Sequence, residues 1–210
     1  DEATAEILYN ILCRKEGNAQ PWPQKVKQVL ADYIAAGRDL DTIPVNEFYA
    51  PSQIDFTHGG YICVDGLYYA YLLVPSTGYK TQVPAGWLSL LVNAGDGIDM
   101  DLFLTRQPKD RMVRKLGQQL RINRSKIRET SDTNTDFDDL DGAIRSGYFL
   151  KDGLGNNEDF YYLNLLVTVT AENVEDLEWK VAELKKLMLS QDMDVQTCSF
   201  CQEQAFLSSM

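Results

Sequence analysis

Apolar residues recur along this chain with two periods, and the switches between them outline its elements. Ile7, Leu8, Ile11 and Leu12 fall on one face of a helix over 3–14. Val26, Val29, Leu30, Tyr33 and Ile34 do the same for a helix over 24–36, with Gly37 as its stop. Pro21 and Pro23 part the two helices. Residues 38–57 show no period and are punctuated by Pro44 and Pro51, so 1–50 reads as a helical pair with a connector. The period then shortens. Two apolar runs, 61–64 and 67–74, flank Asp65-Gly66, the pair suited to a type I′ turn, which predicts a hairpin. A short strand is expected over 79–83 and a helix over 85–93, with Pro84 at its start. Gly95-Asp96-Gly97 marks a turn, and the alternation of Ile98, Met100, Leu102 and Leu104 predicts a strand.

Pro108 opens a long helical stretch that reaches about residue 128. A polar break over 130–136 offers several caps, and a further helix fits 137–149, ending before a loop at Gly153 and Gly155. Residues 160–170 are a strand rich in β-formers. Asn173 is placed to cap the next helix, with Asp176 three residues on; Val174, Leu177, Val181, Leu184 and Met188 form its buried stripe. A short strand over 194–199 and a helix from 202 to 208 close the chain. This order predicts an α+β fold: a mixed, partly antiparallel sheet with helices packed mainly on one face, preceded by the short helical pair. The strand-helix-strand over 160–199 is a right-handed crossover if its strands run parallel. The expected division is 1–50 as helical extension and 51–210 as the α+β domain, with no repeat of 20–50 residues.

Composition narrows the function classes. The chain has 210 residues, 44% hydrophobic and 24% charged, which is globular usage and excludes wholesale disorder. The longest strongly apolar run is the eight residues 67–74, far below the ~20 that cross a membrane as a helix. The one histidine, His58, excludes a His-rich metal site and would have to serve any Ser-His-Asp triad. No G-x-x-x-x-G-K-[ST] occurs, so no P-loop holds a nucleotide here. The four cysteines fit a reducing compartment better than a disulfide scaffold. Asp1 in first place, with no basic-then-apolar leader, reads as the start of a fragment or a processed product.

The net charge is −11, and it is unevenly spread. Nine basic residues and a single acid, Asp110, lie between Arg106 and Arg128, so that stretch carries +8 and the remainder −19. Lys109, Arg111, Arg114, Lys115, Arg121, Arg124, Lys126 and Arg128 are the candidate interaction residues. Lys109, Arg111, Arg114 and Lys115 recur at helical spacing, so part of the set shares a face. Such a face suits an acidic partner, anionic lipid or nucleic acid; the bland reading is a solvated helix that balances its own acidic domain. No aromatic residues interleave the basic ones for base stacking, which favours a protein or membrane partner over DNA. Asp132, Asn134 and Asp136 begin like a calcium loop, but Phe137 replaces its glycine and Ala143 its bidentate glutamate. Cys198-x-x-Cys201 has redox spacing but lacks a second ligand pair for zinc; small buried residues are the simpler reading. His58, beside Gly59-Gly60, reads as a hydrogen-bonding loop residue, and Trp22, Trp87 and Trp179 as core or interface anchors.

Six phrases in order carry a resemblance: PSQIDF (51–56), GYICVDGLYYAYLLV (60–74), GYKTQVPAGWLSLLVNAG (78–95), IDMDLFLTRQ (98–107), NEDFYYLNLLVTVTAENVEDLEWKVAELKKLM (157–188) and EQAFLSSM (203–210). Together they resemble the N-terminal region of the large conjugal-transfer ATPases of type IV secretion systems, the TraC/TraE-type or VirB-type family, in versions carried by conjugative transposons of Gram-positive bacteria. The resemblance covers about 50–210. It implies a non-catalytic α+β docking domain that sits at the cytoplasmic face of the membrane and meets membrane-channel subunits. It also implies a parent protein that self-associates and uses ATP and Mg in a RecA-like domain beyond residue 210. This chain stops before any Walker motif, so it is expected to hold no catalytic residue, cofactor or metal. The competing readings are a small enzyme built on Cys198 and Cys201 or on His58, and a stand-alone nucleic-acid or partner binder using 106–128.

Overall fold

The computed structural model describes residues 7–11, 22–80, 83, 85–129 and 135–210. In chain order the elements are α1 (7–11), α2 (Trp22–Ala35), a 3-10 turn (Leu40–Thr42), α3 (Asn46–Tyr49), β1 (Ile54–Asp55), β2 (Ile62–Val64) and β3 (Leu67–Leu73). There follow α4 (Ser89–Val92), β4 (Ile98–Gln107), α5 (Lys109–Glu129), α6 (Thr135–Gly155), β5 (Phe160–Ala171), α7 (Val174–Ser190), β6 (Gln196–Thr197) and α8 (Gln202–Ser208). The fold is α+β, as its order of elements implies. The strands run β1-β2-β3-β5-β4 across the sheet, with β6 added beside β3. Neighbour pairs β1–β2, β2–β3, β3–β5 and β3–β6 are antiparallel. β5 and β6 both oppose β3, so they run parallel to each other and α7 is the crossover between them.

The chain forms two compact units. The first comprises Asp1–Tyr79, Pro84–Asp101 and Leu166–Met210; the second comprises Lys80–Val83 and Leu102–Leu165. Strands β4 and β5 each contribute residues to both.

The first unit is organised by β3. Its turn from β2 places Asp65 at φ 48° and Gly66 at φ 85°, the two left-handed positions of a type I′ turn. The Asp65 carboxylate accepts hydrogen bonds from the backbone N–H groups of Ser52 and Gln53, and its own N–H donates to Gln53 O. That bracket draws in β1, a strand with no periodic signal, at the register Ile54↔Val64. Tyr69 and Tyr71 stand opposite Thr170 and Thr168 on one face. There they pack with Ile62, Val64 and Leu166 under Cys198 and the α8 residues Ala205 and Phe206. On the other face Ala70, Leu72, Val167 and Val169 are also buried. The longer α7 packs on β3 and buries Leu177, Leu184 and Met188, so helix cover is unequal between the faces. Each large apolar side chain so buried contributes about 2 kcal/mol.

Helix α1 departs from its expected face. Ile7 and Ile11 are exposed, whereas Tyr9 is buried against Val26 and Tyr49. Two residues on a helix subtend ~200°, so turning the aromatic ring inward sends those isoleucines outward; Leu12 lies outside the described residues. Helix α2 ends as expected: Gly37 at φ 63° lets Arg38 N–H reach Tyr33 O and Gly37 N–H reach Ile34 O. The strand expected over 79–83 is not formed at Tyr79 or Lys80, and 81 and 82 lie outside the described residues. The helix expected over 85–93 is the shorter α4.

The second unit is a helical hairpin, α5 against α6, with the adjoining halves of β4 and β5. Met112 and Leu120 of α5 and Leu154 of α6 are buried. Gly147 faces Leu120 so closely that a Cβ there would lie 2.8 Å from Leu120 Cδ2. Helix α6 runs on through Gly153 and Gly155, where a loop was expected. Its stop is Asn157 at φ 72°, which lets Glu158 N–H return to Gly153 O.

Candidate interaction surface

All eight candidate residues lie on α5, a single helix of 21 residues. Buried Met112, Leu120 and Asn123 mark its inward face. Lys109 shares that side; it is half-buried and donates to Asn157 Oδ1 at 3.0 Å. Lys115 lies on one flank and donates to the Tyr162 hydroxyl at 2.9 Å. Its Nζ is 5.5 Å from the ring centroid, at the hydroxyl end of the ring rather than over the middle of its face. Arg124 lies on the other flank and donates to the Tyr148 hydroxyl at 3.1 Å. Arg114, Arg121 and Arg128 follow one another every seven residues, which on an α-helix is a nearly straight stripe; all three are exposed, as is Arg111. The Nε groups of Arg114 and Arg121 donate to carbonyls of their own helix, Asp110 O and Gly117 O. Lys126 and Arg128 occupy the last turn, where positive charge complements the helix dipole.

The neighbours that hold Lys109, Lys115 and Arg124 are an amide and two phenols, all neutral, so their bonds position the cations without cancelling them. The basic residue just ahead of the helix behaves differently. Arg106 pairs with Asp159 at 2.8 Å, and the hydrogen bond to that carboxylate, with its negative charge, holds the guanidinium pKa above its ordinary value. The cations within α5 do not form one uniform face. Lys109 and Lys115 are turned to partners of the second unit, leaving Arg111, Arg114 and Arg121 as the outward group. Asn157, Tyr148 and Tyr162, which position the flanks, carry no sequence signal of that role, because each is distant from α5 along the chain.

The other sequence candidates fall elsewhere. Cys198 is buried, and burial, with the neighbouring Cys201 thiol adding to it, pushes its pKa up to about 12. A redox dithiol needs the reverse, a stabilised thiolate. Cys63, Cys198 and Cys201 are all free thiols. His58 stacks on Tyr61 with 4.5 Å between centroids and lies 4.0 Å from Asp55. Asp55 is held below the ordinary carboxylate range chiefly by hydrogen bonds from Thr57. Trp179 is 64% exposed on α7 and is therefore no core anchor. Trp87 is half-buried, and the Trp22 side chain lies outside the described residues. Asp132 and Asn134 also lie outside them. Among the described residues no group of three or more His, Cys, Asp or Glu side chains converges, and no helix is long and apolar enough to cross a membrane.

No protein-family model matches the chain, and no curated protein matches it.

Proposed function

We propose that this chain is a non-catalytic docking domain of a conjugative-transfer ATPase of the type IV secretion class, and that α5 is its contact surface. The observation that carries the docking half is the set of neutral groups holding Lys109, Lys115 and Arg124. They leave the charge of these three cations uncancelled by their hydrogen-bond partners, on one helix of a chain whose net charge is −11. The family half rests on the resemblance of the six ordered phrases. In this reading the partner is an acidic face of a membrane-channel subunit, and association is at the cytoplasmic side of the membrane. ATP and Mg belong to a motor domain C-terminal to residue 210.

Each half has its experiment. Replacing Arg111, Arg114 and Arg121 together by Glu should deplete the protein from the membrane fraction of cells that carry the conjugation machinery, with its melting temperature unchanged; undiminished recovery would sink the docking half. The family half predicts a reading frame that continues past Met210 into G-x-x-x-x-G-K-[ST]. A stop codon directly after Met210 would remove the motor.

A further inference from the structure

A second surface stands apart from α5 in chemistry. It lies in the first unit, where the β6–α8 connection meets the loop between β1 and β2. Phe200 there is 91% exposed and has φ 60°. A bulky side chain is disfavoured in the left-handed region, and a phenyl ring is disfavoured in water, so two costs coincide at one residue. The backbone fixes it in place. Phe200 N–H donates to Gly59 O at 3.0 Å, and Gln202 Nε2 donates to His58 O at 3.3 Å. The Phe200 ring rests against the Gly59 backbone, where a Cβ would lie 2.9 Å from Phe200 Cε1. The two segments that meet here carry further exposed apolar side chains: Phe56, 41% exposed, meets Phe206 edge-on, and Leu207 of α8 is 64% exposed. The stacked pair His58–Tyr61, with Tyr68 edge-on to Tyr61, extends the aromatic surface.

Two acids stand among these residues: Asp55, between Ile54 and Phe56, and exposed Glu203, four residues before Leu207 on α8. Asp55 accepts hydrogen bonds from the Thr57 N–H and hydroxyl, which hold its carboxyl below the ordinary carboxylate range. Exposed aromatic faces also attract cations. We propose that the surface centred on Phe200 docks a basic protein segment, one that presents lysine or arginine beside apolar side chains. The apolar residues would cover Phe200, Phe56 and Leu207, and the cations would meet Asp55 and the tyrosine faces. This site shares no residue with α5 and selects the opposite charge.

The test uses the purified chain and two fluorescent peptides of equal apolar content, alternating Leu and Phe with either lysine or glutamate, followed by anisotropy. The lysine peptide is expected to bind and the glutamate peptide not. Phe200→Asn, which keeps a residue tolerant of positive φ, should weaken binding by about tenfold or more and raise the melting temperature. Phe149→Asn, which removes an exposed phenylalanine of α6, should leave binding unchanged. Undiminished binding by Phe200→Asn, equal losses in the two variants, or no binding of the lysine peptide would overturn the proposal. So would a wild-type dimer that Phe200→Asn dissolves, since a second copy would then be the occupant.

Discussion

Asp65 joins three pieces of chain through one side chain and one unusual dihedral. It sits at φ 48°, turns β2 into β3, and its carboxylate holds Ser52 and Gln53 ahead of β1. Alanine there gives up both acceptor bonds and tolerates the left-handed region poorly. Asp65→Ala should therefore lose about 1–2 kcal/mol in urea unfolding, and Asp65→Asn clearly less. The turn was legible in the Asp-Gly pair. The capture of β1 was not, because two strand residues after Pro51 carry no period. The Cys198 thiol keeps its proton because burial opposes the thiolate, which raises its pKa to about 12. A folded state that holds a proton more tightly than the unfolded chain is fully stabilised below the ordinary thiol pKa and loses that stability as pH rises toward 12. The unfolding midpoint should thus fall as pH is raised from about 8 to about 10.5, by more than it does in Cys198→Ala. In the native protein iodoacetamide should label Cys63 and Cys201 before Cys198, a ranking that mass spectrometry reads directly.

Two helix ends in this chain are set by residues other than glycine. Gly37 ends α2 in the expected way, but α6 and α7 stop at Asn157 (φ 72°) and Asp192 (φ 55°). Short polar side chains tolerate the left-handed conformation, so a glycine search misplaces such ends. After α7, Met193 N–H returns to Met188 O and the buried Met193 packs inward, the usual companion of that cap. Gly153, read as loop, is helical, and its substitution separates two effects. A Cβ there meets Glu158 Oε2 at 2.6 Å, the free end of a flexible side chain that can swing away. Gly153→Ala should then gain roughly 0.5–1 kcal/mol from helix propensity. Gly147→Ala makes the same substitution against Leu120, which is buried between α5 and α6 and has little room to move. It should lose about 1 kcal/mol net, because overpacking costs more than propensity returns. Paired urea melts give both signs. The stripe of α7 and the cap at Asn173 were readable because period and capping chemistry agree there; Asn173 Oδ1 accepts from Asp176 N–H at 2.8 Å.

Across the whole molecule, charge is sorted by element more than by contact. The basic set was legible as a block on one helix, because its eight cations, with Arg106 just ahead of them, stand out in an acidic chain. Its division into anchored flanks and an outward group depends on Asn157, Tyr162 and Tyr148, whose nearness to α5 arises only when α6 folds back. The Phe200 surface was invisible for a different reason: neither exposure nor a positive φ at phenylalanine leaves a trace in composition or period. The two surfaces differ in sign, so added salt should weaken both, while charge reversal on α5 should leave lysine-peptide binding at Phe200 intact. The claim on which the account turns is that α5 faces a partner in the cell. A photoreactive amino acid at Gln118, exposed on α5, tests it most directly, with the same group at exposed Glu178 of α7 as the reference. Irradiation of cells carrying the conjugation machinery is predicted to give a covalent adduct with a membrane-channel subunit from position 118 and none from 178. An adduct from 178 with none from 118 would contradict the account.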